Sequence, residues 1–359
     1  MTVFTLAAEN RTTVINLAIS DIRKQGSEAI NKDLFNVYVN NYFKGISSVF
    51  NDIDSNSPLW EKVQQYKLNA ANFAAHKSYM VTDKIRAAKD DAEIKSIVNK
   101  FNRYQSAEYN TIVARSRTAK QWDTFESEKH LFPNLEWIRT RSANPRELHL
   151  GYVGIILPMN DAFWQQNQPG NLWNCKCDWK TTDAQTTAKP TKITPAATGL
   201  DGNPYETGKL ITEKHPYFKV SADEKTIIDK FLVKQIRDDA VKYACDNLRD
   251  KKIPNVIGTG RTKIRNINIE FSRKGIEHFA HDFHENLNYK NLLIKNLDEL
   301  VLKSEYVASA PNLDINNTIV KQYHYYKINI LGKIYYLNVR ELCDGKFILY
   351  SIKQNIKSI

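Results

Sequence analysis

Three residues on one helical face carry the parts needed to cleave a phosphodiester without a metal. In SRKGIEHFAHDFHENL, Lys274, His278, His281 and Glu285 fall together at 100° per residue. Opposite them runs an apolar stripe of Ile276, Phe279, Phe283 and Leu287, spaced 3, 4 and 4. Metal-free RNA cleavage requires a base for the 2′-OH proton, an acid for the leaving oxygen and a cation on the phosphorane. The sequence offers His278 as the base, His281 or a sheet residue as the acid, and Lys274 as the cation, leaving a 2′,3′-cyclic phosphate. The competing reading is a solvated polar face, the ordinary fate of a stripe opposite a core. The i, i+3, i+6 spacing of His278, His281 and His284 spreads too widely to hold a metal, so His284 reads as a surface or structural residue.

A second set of ligating side chains lies upstream. Cys175 and Cys177 are one residue apart, and with His149 they offer three soft ligands for Zn²⁺, Asp161 being available as a fourth. A C-x-C pair is tighter than the usual C-x₂₋₄-C spacing, so structural zinc stands beside the plainer reading of two small, half-buried thiols. Four cysteines in 359 residues, Cys245 and Cys343 being the others, are too few for a disulfide framework. The basic turn RTKIR offers Arg261, Lys263 and Arg265 for phosphate contacts, with Arg273 nearby. His324 alternates with Tyr326 and Ile328, the pattern of a packed strand histidine, and is held in reserve as an acid. His76, His130 and His215 have no evident chemical partner.

The elements that must position these groups form an α+β chain with two domains and a seam. Long helical patterns run from Ala29 to about Trp122 with little Gly or Pro. Trp-, Pro- and Gly-rich short strands follow between Leu135 and Trp179. Thr181 to Thr198 is a Thr/Ala/Pro/Lys stretch without an apolar period, the composition of a linker. A helix is expected from about Ala222 to Asp250, then the strand-like IRNINIEF and the histidine helix. The Tyr- and Ile-rich tail, punctuated by Leu331-Gly332 and Asp344-Gly345, predicts a three-stranded antiparallel meander. The expected divisions are residues 1–180, a linker over 181–221, and residues 222–359 with helices packed on a small antiparallel sheet.

Several of these pieces occur in a characteristic order: RTRSANPRELHLGYVGIILPMNDAFW, then PGNLWNCKC, after a helix containing YQSAEYNTIVARSRTAKQW. The combination resembles the tailed-phage minor head proteins of the Mu F-like head morphogenesis family. The resemblance covers roughly the first 180 residues and rests on Arg139, Arg141, His149, Gly151, Pro158, Asp161, Trp164, Pro169, Trp173, Cys175 and Cys177. It implies a few copies near the portal inside the head, with portal and capsid proteins as partners. The C-terminal order of His-bearing helix, second helix and meander resembles phage members of the barnase, EndoU, colicin and RelE nuclease superfamily. That likeness implies one active-site group on the leading helix and others on the sheet, making Lys274, His278, His281, Tyr325, Tyr350 and Ser351 candidates. It also implies an immunity protein as a further partner and no cofactor for catalysis.

Composition bounds these readings. An apolar fraction of 42% excludes wholesale disorder. Lys and Arg number 51 against 40 Asp and Glu, giving a net charge of +11, which favours a polyanionic partner, either an RNA substrate or packaged DNA. Residues 251–359 hold 17 of the basic and 10 of the acidic residues, so most of the excess lies at that end. No apolar run spans a membrane and the N-terminus lacks a signal-peptide pattern, so the chain is expected to be kept in the host cytoplasm, and the head-protein resemblance implies the virion as well. Two alternatives keep the C-terminal domain free of catalysis: phosphate contacts to packaged DNA, or docking to the portal through the Tyr-rich meander.

Overall fold

The computed structural model describes residues 11–25, 29–140, 142, 144–249, 251–258, 264–282 and 285–356. Of the residues singled out above, Arg141, Arg261, Lys263, Phe283 and His284 lie outside that set. The chain is α+β and divides into two compact units, Met1–Phe231 and Leu232–Ile359. No helix among the described residues is long and apolar enough to cross a membrane.

The first unit opens with α1 (Arg11–Gln25), α2 (Lys32–Val49), α3 (Trp60–Ala87) and α4 (Asp91–Glu128). Caps set two of the starts. Asn31 accepts from the Leu34 amide, and Asp90 accepts from the Glu93 amide while Glu93 returns a bond to the Lys89 amide. Ala70, Ala71, Ala74 and Ala75 are buried on α3, small residues that let neighbouring helices approach closely. Between the helices sits a buried ion pair, Lys77 Nζ to Glu108 Oε2 at 2.5 Å, with the Tyr42 and Tyr217 hydroxyls donating to the same carboxylate. These bonds satisfy a charge that burial would otherwise penalise heavily.

Beyond α4 come β1 (Asn134–Ile138), α5 (Glu147–Leu150), β2 (Ile156–Pro158), α6 (Phe163–Asn167) and β3 (Asp178–Thr182). The strands form an antiparallel sheet in the order β2-β1-β3, with Trp137 facing Trp179. Alternation along β1 turns Leu135 and Trp137 into a core shared with Trp122, Phe125, Tyr152, Phe163, Trp164 and Trp179.

The stretch expected as a linker over 181–221 is only partly one. Leu200, Leu210, Ile211 and Tyr217 are buried, and α7 (Pro204–Thr207) lies among them. The cause is Arg115 on α4, itself buried. Its guanidinium donates to the carbonyls of Leu210, Leu200 and Gly202 and to Asn171 Oδ1 at 2.6–3.0 Å. Composition could not reveal that a distant arginine satisfies this segment's backbone.

α8 (Ala222–Asn247) carries the chain from the first unit into the second. There follow β4 (Lys252–Ile257), β5 (Arg265–Phe271), α9 (Arg273–His281), α10 (Leu287–Leu293), α11 (Leu297–Lys303), β6 (Glu305–Pro311), β7 (Val320–Ile330), β8 (Lys333–Leu342) and β9 (Phe347–Lys353). The sheet order is β4-β5-β9-β8-β7-β6. The expected meander is present as β7-β8-β9, but the sheet has six strands, and β5 joins β9 in parallel, so it is not purely antiparallel. Leu331 and Gly332, both with positive φ, make the two-residue turn between β7 and β8. Bulges at Tyr306/Ala308, Val320/Gln322 and Asn338/Val339 curl the sheet.

The histidine helix is shorter than the sequence predicts. α9 stops at His281, because Asp282 turns extended and the buried Lys290 ammonium donates to the carbonyls of Phe279, Ala280 and Asp282. A lysine from the next helix thus takes the place of a C-cap. Ile276 and Phe279 are buried as expected, whereas Leu287 is half-buried and begins a separate helix. Glu285 accordingly leaves the polar stripe and binds Lys333 and Tyr335.

Candidate functional site

β5 ends at Phe271, and α9 takes over its place beside the second half of β9. Ser272 caps the helix by accepting from the Gly275 amide. Gly275 then passes so close to β9 that a Cβ there would run into the Leu349 carbonyl oxygen. This approach lays the His278 ring on the Tyr350 ring, with centroids 3.9 Å apart and planes tilted by 34°. Asp282 Oδ2 accepts from the Ile352 amide, tying the far end of the helix to the same strand.

Buried and half-buried side chains on one face of β8 complete the group. Period-two alternation sets Tyr336, Asn338 and Arg340 on one face of the strand, against Tyr335, Leu337 and Val339 on the other. Cross-strand pairing brings Tyr325, Asn338 and Ser351 into one row across β7, β8 and β9, with Tyr323 opposite Arg340. The Arg340 guanidinium carbon stands 3.1 Å over the Tyr350 centroid and 5.8 Å from that of Tyr323. His278 and Arg340 are therefore one aromatic ring apart.

Polar atoms here are buried and unsatisfied. Arg340 Nε, Asn338 Oδ1, Ser351 Oγ and His278 Nδ1 have no hydrogen-bond partner among the described residues, although Ser351 is only 1% exposed and Asn338 7%. Buried polar atoms are normally paired, so four orphans in one cluster mark a place where a ligand could complete the bonding. His278 Nδ1 lies 3.3 Å from Asp282 Oδ1, close enough for an ion pair yet off line for a hydrogen bond. Burial lowers the His278 pKa below the usual imidazole range; Asp282 opposes this, while Lys353, Arg340 and His281 add to it. The ring therefore favours the neutral form that a general base requires.

The structure groups His278, Tyr350, Ser351 and Tyr325 of the sequence candidates. It does not bring Lys274 into contact with them: Lys274 is exposed one turn before His278. His281 is exposed, with Nδ1 2.7 Å from its own helix's Glu277 carbonyl. Arg265 faces Glu341 at 3.6 Å and the Phe347 ring, and Arg273 pairs with Glu277 on α9. His324 is fully buried on the opposite sheet face, bonded to Ser309 Oγ and near Glu341, the packed role that its alternation predicted. Arg340 and Asn338 were missed. Their signal was the polar alternation in YYLNVREL, which passes for an ordinary strand face until β9 and α9 are placed beside it.

The upstream ligand set is also assembled. His149 Nδ1 lies 3.1 Å from Cys177 Sγ and 3.7 Å from Cys175 Sγ. Asp161 is engaged elsewhere, capping the Phe163 amide and pairing with Lys189.

Residues 233–350 match the family model of large polyvalent protein-associated domain 3. The match covers about a third of the chain and contains α9, β8 and β9 up to Tyr350. It points to a phage-associated polyvalent protein, the broad setting that the sequence resemblance implied. No curated protein and no solved structure matches.

Proposed function

We propose that the chain is a phage minor head protein whose C-terminal unit is a metal-independent endoribonuclease. The observation that carries the catalytic reading is the His278–Tyr350–Arg340 group with its unpartnered buried polar atoms. His278 takes the 2′-OH proton of the ribose, and the oxygen freed of it attacks the adjacent phosphorus. Arg340 replaces Lys274 as the cation on the phosphorane, since the guanidinium is planar, always charged and already held against the neighbouring ring. Asn338 and Ser351 supply hydrogen bonds to phosphate or ribose. The leaving 5′-oxygen receives its proton from the Tyr350 hydroxyl or from His281, and the 3′ product ends in a 2′,3′-cyclic phosphate. Tyr323 and Tyr325 offer stacking surfaces for bases beside the scissile bond.

The head-assembly part rests on the ordered motifs from Arg139 to Cys177, and a phage-associated C-terminal domain accords with it. Its proposed partners are portal and capsid subunits, its location the inside of the head near the portal, and an immunity protein would guard the host cytoplasm during assembly. The catalytic reading is tested by incubating the full chain with total RNA, with and without EDTA. Wild-type protein should cleave in both buffers, and His278→Ala and Arg340→Ala should each lose about 10²–10³-fold in rate. Intact RNA with the wild-type chain, or equal cleavage by His278→Ala, contradicts the assignment.

A further inference from the structure

We infer that His149, Cys175 and Cys177 form a Cys₂His zinc site whose fourth position is open to solvent. Nδ1 of the histidine and the two Sγ atoms all lie within 4.8 Å of one another. In a tetrahedral zinc site, bond lengths of about 2.3 Å to sulfur and about 2.0–2.1 Å to nitrogen place ligand atoms roughly 3.5–3.8 Å apart. The separations of 3.1 and 3.7 Å need only small adjustments to reach that spacing. The set is unlike an adventitious surface cluster: His149 and Cys175 are buried, and Cys177 is half-buried.

The local backbone is built to present these atoms. His149 sits on the one-turn helix α5, its ring stacked on Tyr152 and edge-on to Trp137 in the aromatic core. Residues 169–177 contain no regular helix or strand. They are held by side-chain and turn hydrogen bonds, such as Arg146 to the Trp173 carbonyl, Thr140 to the Lys176 carbonyl, the Asn174 amide to Thr111 Oγ1 and the Cys175 amide to the Leu172 carbonyl. A metal joining both thiolates to His149 of α5 would tie this segment to the core at two points at once.

Asp161 does not complete the site, because its carboxylate already serves Phe163 and Lys189. Cys175 and Cys177 instead line a cleft of about 270 Å³, with Asn110, Arg117 and Gln121 of α4 on its other wall. A water molecule entering from that cleft supplies the fourth ligand. Binding displaces one proton from each thiol into solvent, and Zn²⁺ with two thiolates and a neutral imidazole leaves the buried site uncharged. The site takes no part in the RNA cleavage proposed above, and its open position lets the metal hold a water molecule or small ligand while tying the cysteine segment to α5.

The test is metal content and Co²⁺ spectroscopy on the reduced full chain. Protein purified from zinc-supplemented medium should carry one zinc per chain. Zinc-free protein titrated with Co²⁺ should develop visible bands of tetrahedral cobalt and a near-ultraviolet thiolate charge-transfer band, both reaching a plateau at one equivalent. Cys177→Ser should weaken the charge-transfer band, and Asp161→Asn should leave the whole spectrum unchanged. Cobalt bands absent from folded, reduced wild-type protein, or bands that survive Cys177→Ser at full strength, overturn the site. Bands lost in a folded Asp161→Asn overturn the open fourth position. Loss of RNA cleavage without loss of cobalt binding would count against the ribonuclease and leave the zinc site standing.

Discussion

At the scale of single residues, the chemistry turns on how burial adjusts one imidazole. His278 is half-buried against Tyr350, and the loss of solvent, aided by the charges of Arg340 and Lys353, lowers its pKa from the ordinary value. In the proposed mechanism the neutral ring is the base, so activity would require its deprotonation and the lowered pKa moves the acid limb of the rate profile downwards. The expected kcat/KM therefore holds as pH falls through about 6.5 and declines only below it. A profile of initial rates between about pH 4 and 8 checks this, and an acid limb above 6.5 would mean that charge, not burial, dominates at this ring. The sequence showed His278, Tyr350 and Ser351 as candidates, since residue type and helical spacing are local properties. Arg340 stayed hidden because its contact with Tyr350 depends on the pairing of β8 with β9, and no local pattern encodes that register. Lys274 looked equivalent to Arg340 as a cation, yet its position on α9 leaves it in solvent.

At the scale of elements, the long helices were legible, and the structure adds the Asn31 and Asp90 caps that set two of their starts. The break after His281 was not legible, since the group that terminates α9 is a lysine nine residues further on. Buried ionic groups leave no local signal either: Lys77 on α3 and Glu108 on α4 meet inside the first unit. Replacing Lys77 by Met leaves the Glu108 carboxylate buried without its cation, and the expected loss is about 3–5 kcal/mol in urea unfolding. A loss below about 1 kcal/mol would show that the tyrosine hydroxyls alone can hold that charge. Between α9 and β9 the critical element contact is at Gly275. Gly275→Ala should push the helix away from Leu349 and pull His278 off Tyr350, lowering kcat/KM by about 10²-fold in a chain that still folds. Unchanged activity would mean that this close approach does not position the base.

At the scale of the whole molecule, the α+β class followed from the helical and strand periodicities. The extent of the linker did not, because the linker composition covers 181–198 and Arg115 holds the carbonyls of Leu200, Gly202 and Leu210, further along, in the first unit. The sheet was half legible: hairpin turns announced β7, β8 and β9, whereas the parallel pairing of β5 with β9 is non-local and leaves no turn signal. The excess of basic residues over 251–359 suits a polyanionic substrate but does not distinguish cleavage from binding. A chimeric RNA oligonucleotide makes that distinction. Its all-ribose form should be cut by the full chain to a 2′,3′-cyclic phosphate end, and a single 2′-deoxy substitution at the mapped scissile position should abolish that cut while leaving binding intact. Cleavage of the deoxy-substituted oligonucleotide at the same position and rate would contradict the account, because His278 would then have no 2′-hydroxyl proton to remove.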